Sequence, residues 1–562
     1  MAFQVSPGVN VSEIDATTVV PAVSTATGAI GGAFQWGPID VLRQVSSEDE
    51  LVEVYGKPDA TTFLPFFTAA NFLSYSNSLF VSRADAATLN SAVALNVDPV
   101  SCAANVKMKS EDHYFSTYHS ASNTDIVLAA RYPGSRGNSL KVAFIANANA
   151  SVFGSAAYRE FFDSPPGTST WVAANHNSLA NDEMHIAVID EDGLFSGTPN
   201  TVIERFAYVS KATNAKDESG NSIYWKDVLY RSSRYVYGFG QNNDTWGVAA
   251  NSTHAFEGEN LTISFARGTD GTVTTGNVMN AYNQFASTEN VDISLVMTGG
   301  YGESVAEKVI DIVSARRDAV GFISPNYANV TATDPVASVV NYREALPSTS
   351  YAVMDSNWKY MYDKYNDTYR WVPCNGDVAG LCARTDQERD PWFSPAGFNR
   401  GQLKNVIKLA YNPSQANRDE LYKKGVNPIV SFPGEGVVLY GDKTLLAKPS
   451  AFDRINVRRL FIVLEKAIAR AAKASLFELN DEFTRATFVN LVEPFLRTVQ
   501  GRRGIYDFRV ICDETNNTPE VIDRNEFIGD IYIKPARSIN FIQLNFVAVR
   551  TGVAFDEIVG RF

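Results

Sequence analysis

The chain has 562 residues, 45% of them hydrophobic, enough for three or four cores at about 150 residues per domain, which excludes a short binding module. A formal net charge of −13 sets most of the surface against a phosphate backbone, so no nucleic acid partner is expected. No basic and apolar leader opens the chain, and no run approaches the roughly 20 apolar residues that span a bilayer, so a soluble protein made in the cytoplasm without membrane insertion is expected.

Residues 1–20 hold a Ser6-Pro7-Gly8 turn and then Val9, Val11, Thr17 and Val19 among polar neighbours, with no helical period. Such a segment is extended and cannot bury itself alone. Small residues and glycines at 27–32 lead to Phe34-Gln35-Trp36-Gly37-Pro38. The pattern then predicts a helix over 46–55 opened by Ser47, a helix over 63–75 and a strand over 79–83, the start of an α/β domain.

Between about 95 and 267 the chain is rich in Asn, Ser, Ala and Gly, carries all five histidines and shows irregular strand-like runs at 125–130, 139–145 and 183–189. That stretch reads as an insertion made largely of β-structure. After Gly271 a helix over 278–285, a strand over 292–296, a helix over 304–314 and a strand over 319–323 imply a parallel pair, so the first domain resumes. A long helix over 453–473 and strands over 505–512, 527–534 and 539–549, broken at Asn516-Asn517-Thr518-Pro519 and Lys534-Pro535, form a compact α+β unit. Beyond Thr551-Gly552 a short tail again has strand character at Phe555 and Ile558.

Catalytic signatures are sparse. The stretch from Gly436 to Thr444 resembles a phosphate-binding loop with one residue too many, but Asp442 puts a carboxylate where amides should cradle phosphate, and Pro449 follows where a helix is needed. It reads as a strand and polar turn. His113, His119, His176, His185 and His254 have no metal-ligand spacing and read as surface histidines. Asp363 and Asp367 read as ion-pair partners of Lys364 or Arg370 rather than an acid and base pair. Cys102, Cys374, Cys382 and Cys512 are scattered and read as reduced and buried. No cofactor, metal or catalytic residue is expected, and the chain reads as a structural protein rather than an enzyme.

What the residues offer instead is two strand-like ends. A lone strand added to the edge of another subunit's sheet completes its hydrogen-bond ladder, so two arms make the chain divalent. On the helix over 453–473, at about 100° per residue, Arg459, Lys466, Arg470 and Lys473 fall within roughly a 60° stripe opposite Leu460, Leu464, Ala467, Ile468 and Ala471. That stripe is either a solvated face or a surface for an acidic partner.

The Ser6-Pro7-Gly8 arm, Phe34 to Pro38, Ala70-Asn71-Phe72-Leu73, WKYMYDKYNDTYRWVP from Trp358 to Pro373, AGLCARTD from Ala379, SPAGFNRGQ from Ser394, VLYGDKT from Val438, FDRINVRRLF from Phe452, TNNTPEVIDRNEF from Thr515 and IYIKPARSINFIQLNFVAVRTG from Ile531 stand in one order along the chain. In these passages the sequence resembles the contractile tail sheath proteins of tailed bacteriophages, most closely those of T-even-type myophages. The resemblance covers roughly 1–92 and 291–562; between them only Tyr132-Pro133-Gly134 and Gly137-Asn138 are similar, and the insertion is shorter than in T-even proteins.

The resemblance implies a multidomain α/β and α+β sheath fold. Its parts would be an N-terminal linking arm (1–22), a discontinuous α/β middle domain (23–92 and 272–411), a mainly β outer insertion (93–271), an inner α+β C-terminal domain (412–550) and a C-terminal linking arm (551–562). It implies six-fold rings stacked helically around a tail tube protein, between a baseplate and the tail terminator or neck proteins, in a virion whose parts assemble in the host cytoplasm. Phe3, Val5, Val9, Val11, Val553, Phe555 and Ile558 would be the exchanged arm strands, Thr17, Pro21, Thr551 and Gly552 the hinges, and Arg459, Lys466, Arg470 and Lys473 the stripe facing the tube. The alternatives are a sheath of a phage-like injection particle or secretion system and, more remotely, a nucleotide-dependent enzyme using 436–444.

Overall fold

The computed structural model describes residues 24–95, 105–119, 126–175, 181–239 and 260–540. Its centre is a seven-stranded sheet in the order Val426–Asn427, Ala352–Asp355, Val320–Ile323, Leu295–Met297, Gly28–Gly32, Leu79–Arg83, Arg43–Val45. All neighbours are parallel except the last pair. A parallel sheet is covered on both faces, which is why these strands are short and buried throughout rather than alternating. Phe63–Leu73 and Asn375–Glu388 cover one face with Phe66, Phe72, Val378 and Leu381; Thr275–Asn283 and Glu303–Arg316 cover the other with Val278, Tyr282, Val309 and Val313.

The glycine-rich opening strand follows from how closely the first helix approaches it. A Cβ at Gly28 would stand 2.6 Å from the Phe72 ring, and one at Gly32 would stand 2.5 Å from Pro65. Beside it, buried Arg83 donates to the carbonyls of Phe34, Gln35 and Gly37, which locks the Phe34 to Pro38 turn. That turn delivers Trp36 into the core of the inserted domain, edge-on to Tyr132 and Phe195.

The insertion has two antiparallel sheets: Asn260–Ser264, Leu140–Ile145, Glu183–Asp190 and Thr201–Ser210 in one, and Val93–Leu95, Ile126–Ala130 and Val236–Gly238 in the other. His185 is buried here, which corrects its reading as a surface histidine. Its Nε2 lies 2.9 Å from the Ser164 carbonyl, its Nδ1 accepts from the Tyr208 amide at 3.0 Å, and its ring stacks on Phe162. Burial pulls its pKa down, and the two contacts fit one neutral tautomer.

Two expectations change. The strand Val426–Asn427 extends the central sheet beside Ala352–Asp355, and Leu421, Val426 and Leu445 share a core with Ile323 and Met354. Residues 412–445 therefore belong to the middle domain, not to a C-terminal unit beginning at 412. The C-terminal unit also contains a twenty-residue helix, Glu482–Gly501, that the sequence pattern did not suggest. It packs with Ile455–Ala472 through Leu460, Leu464, Phe488, Val492 and Leu496.

In an open α/β sheet the carboxyl ends of the strands are where ligands ordinarily bind. Here the chain's own polar groups fill that edge. Asn375, opening the helix Asn375–Glu388, donates from its amide to Ser324 at 2.9 Å and from its side chain to Thr298 at 3.2 Å. Ser324 donates to Asp355 at 2.5 Å, and Lys359, buried, lies 2.9 Å from both carboxylate oxygens of buried Asp377.

Burial raises the Asp355 pKa to about 7, against the opposing hydrogen bonds from Ser324 and Asn357 and with a further push from Asp377. The folded state thus holds this proton more tightly than the unfolded chain does. The associated stability is complete below the unfolded value near 3.8 and is lost as pH rises through about 7. Asp355→Asn removes the charge while its oxygen accepts from the Asn357 amide and its NH2 donates to Ser324 in place of accepting, so its unfolding midpoint is expected to vary less between pH 5 and 8 than the parent's; parallel pH profiles would refute this assignment.

Candidate inter-subunit interface

The C-terminal unit ends in a hairpin of Ile505–Ile511 and Asp530–Pro535, antiparallel, with a register shift near Ile505. Phe508, Val510, Ile531 and Ile533 lie on the helix pair, while Tyr506 and Tyr532 stand out in solvent. A lone hairpin is marginal, and packing on one face is what holds this one. Among the described residues neither outer edge has a neighbouring strand. Each edge therefore offers a row of backbone donors and acceptors to an added strand. The loop between the two long helices is also open: Leu476, Phe477 and Leu479 are exposed, Phe477 completely, as is Phe483 in the first turn of the helix that follows. Nothing in the sequence pattern singled out that loop, since its apolar residues carry no period.

The predicted arm strands Phe3, Val5, Val9, Val11, Val553, Phe555 and Ile558, and the hinge candidates Thr17, Pro21, Thr551 and Gly552, lie outside the described residues, as do Cys102, His176, His254 and the predicted strand from 541 onward. What the structure does describe is the chain from Ser24 and the chain up to Asn540, and both ends of that described stretch are held beside the helix Ile455–Ala472.

On the N-terminal side, Arg459 and Lys466 of the basic stripe are used inside the chain, which corrects their assignment to the tube. Arg459 is buried and donates to Asp386, to the Cys382 carbonyl and to the carbonyl of Thr25. Lys466 donates to Asp292, the Ile293 carbonyl and Ser294, and Ser294 in turn donates to the Ser24 carbonyl. Arg470 pairs with Asp292 at 3.2 Å, and it and Lys473 are exposed. The opposite face carries Leu460 and Leu464 into the core, so the first half of the helix is buried on both sides while its last turns keep a basic face toward solvent. Burial pushes the Asp386 pKa up, and the Arg459 charge opposes that push.

On the C-terminal side stands Asp442, the residue that spoils the phosphate-loop pattern. Nearly buried, it accepts from Arg454 at 3.0 Å, Ser394 at 3.1 Å, Tyr422 at 3.2 Å and Ser538 at 2.7 Å. Asn540, the last described residue, donates to the Tyr422 hydroxyl at 2.7 Å. Lys443 donates to the Tyr422 carbonyl, and Gly436–Leu439 is a strand followed by a turn, as the pattern suggested. The lysine that a nucleotide would need is thus already committed.

Of the remaining candidates, Asp363 pairs with Arg370 at 2.7 Å as expected, whereas Lys364 pairs with Glu48 and Asp367 accepts from Tyr362. Cys374, Cys382 and Cys512 are free and buried. Among the described residues there is no group of metal-ligating side chains, and no helix is long and apolar enough to cross a membrane.

Comparison with known proteins accounts for this arrangement. Family models match residues 271–445 as the phage tail sheath protein central domain and 447–548 as the phage tail sheath C-terminal domain, dividing the chain where the sheet and the hairpin unit meet. The tail sheath protein of Enterobacteria phage T4 is 35% identical over 99% of both chains, and that of Vibrio phage KVP40 is 34% identical over 99% of both. The T4 alignment runs to 670 positions against 562 residues here, so that relative carries segments without counterparts. The crystal structure of a sheath tail protein from Listeria innocua shares the fold, with a TM-score of 0.53 at 14% identity over 92% of this chain and 96% of that one. Sequence, domain division and fold agree: the chain belongs to the phage tail sheath protein family.

Proposed function

We propose that this protein is the repeating subunit of a contractile phage tail sheath. Copies stack as six-fold rings in a helix around a tail tube, between the baseplate and the terminator or neck proteins, and contract to drive the tube through the host envelope during genome delivery. The subunits are made in the host cytoplasm, act in the virion and catalyse no reaction.

The observation that carries this reading is the terminal hairpin with two open edges, on a domain matched by the sheath C-terminal model. The N-terminal arm (Phe3, Val5, Val9, Val11) and the C-terminal arm (Val553, Phe555, Ile558) supply strands to hairpins of neighbouring copies. Each added ladder bond contributes about 0.5–1.5 kcal/mol net, so an arm of several residues holds a neighbour while Thr17, Pro21, Thr551 and Gly552 let it reorient. The exposed patch of Leu476, Phe477, Leu479 and Phe483 supports self-association, since isolated chains seldom leave such a patch open.

Expression of the full chain is expected to give rings or tubes by electron microscopy. A chain lacking residues 1–22 is expected to remain a folded monomer of unchanged circular dichroism, and its continued polymerisation would refute the arm assignment.

A further inference from the structure

Beside the start of the terminal hairpin lies an open cleft of about 390 Å³ lined by Arg389, Asp390, Phe393, Arg400, Gly501, Arg502 and Arg503. Four arginines meet one lining carboxylate there, on a chain whose net charge is −13. Arg502 takes that carboxylate, pairing with Asp390 at 2.7 Å, and Arg400 donates to the Ser394 carbonyl. Glu388 stands nearby at 3.7 Å from Arg384. The Arg400 pKa is lowered, first by burial and then by the Arg389 charge, as expected of cations crowded without enough counter-charge. Arg503 sits at φ 66°, in the left-handed region that side chains seldom adopt.

The cleft is fixed to the hairpin. The Trp392 ring nitrogen donates to the Arg502 carbonyl, Gly504 packs on Trp392, and the Ala536 amide donates to the Gly504 carbonyl. A strand added along the hairpin therefore runs past the arginines at that end.

We infer that this cleft is a carboxylate clamp for the N-terminal segment of a second copy of the chain, taking its Glu13 and Asp15. The inference rests on the sheath reading above. In an extended segment Val9, Val11, Glu13 and Asp15 share one face, because side chains alternate with a period of two. From Val11 to Asp15 is about 13 Å at roughly 3.3 Å per residue. With Val9 and Val11 laid against the start of the hairpin, the two carboxylates arrive beside the 501–503 turn. The clamp thereby gives the arm a direction on the hairpin that backbone ladder bonds alone leave open.

The test uses the full chain. Arg389→Glu with Arg503→Glu, two residues outside the Arg502–Asp390 pair, is expected to raise the critical concentration for polymerisation about tenfold without changing the monomer's circular dichroism. Glu13→Arg with Asp15→Arg is expected to do the same, and combining all four changes is expected to restore assembly. If removal of residues 1–22 abolishes polymers while neither charge reversal affects them, the clamp is wrong and the sheath reading stands. If the truncated chain still polymerises, the arm assignment fails and the clamp with it, and if the full chain forms no rings or tubes the sheath reading itself fails. Failure of the four-fold variant to assemble, or loss of tube binding alone, assigns the arginines to another partner and overturns the inference.

Discussion

Lys359→Met is expected to destabilise the middle domain by about 3–5 kcal/mol, the usual cost of removing one partner from a buried ion pair. Lys359 and Asp377 are both fully buried, and the ammonium group also donates to the Lys404 carbonyl at 3.0 Å. Burial already pushes the Asp377 pKa up; the Lys359 charge and the Tyr75 hydroxyl at 3.1 Å pull against it. Methionine fills the volume but leaves a carboxylate in the core, so the loss is electrostatic rather than one of packing. The double variant Lys359→Met with Asp377→Leu is expected to recover much of the loss, and urea unfolding of the four proteins gives the coupling directly. A single-variant loss below about 1 kcal/mol would mean that the pair is dispensable.

Arg459→Ala is expected to cost about as much, roughly 3–5 kcal/mol, but at a different place. Its guanidinium ties the C-terminal helix to Asp386 and Cys382 of the middle domain and to Thr25 at the base of the N-terminal arm. Calorimetry is expected to resolve the C-terminal unit as a separate, earlier transition in the variant, because this link between the two units is gone. Arg459→Lys is expected to rescue only in part, since a single ammonium cannot span three acceptors in different directions. One unchanged cooperative transition in both variants would show that the seam is held elsewhere.

Local signals were legible where chemistry is local. Ser47 caps its helix as its position suggested, accepting from the Glu50 amide, and the strand read over 79–83 is the strand observed. The return of the first domain after the insertion was readable because strand, helix and strand recur at parallel-pair spacing. The helix Glu482–Gly501 was hidden because Pro494 lies inside it, a residue that removes a backbone donor and normally ends a helix. The domain boundary was misplaced because Val426–Asn427 is only two residues long, and its place beside Ala352–Asp355 depends on partners some seventy positions away.

The interface divides the same way. The family could be read from words. The use of Arg459 and Lys466 could not, because a 60° basic stripe looks identical whether water, a tube or a neighbouring domain supplies the counter-charge. Asp442 was noticed for what it spoils and not for what it gathers. Its ligands come from 394, 422, 454 and 538, and no spacing rule joins such distant positions.

The contacts at Ser24 and Thr25 and those at Ser538 and Asn540 lie beside one helix, Ile455–Ala472, and its entry at Arg454. In the sheath proposed above, a pull on an N-terminal arm would enter the subunit at Arg459 and Lys466, and a pull arriving through residues 541–550 would enter at Asp442. Such loads would cross a short stiff block and bypass the inserted domain, which could then vary in size without lengthening the load path.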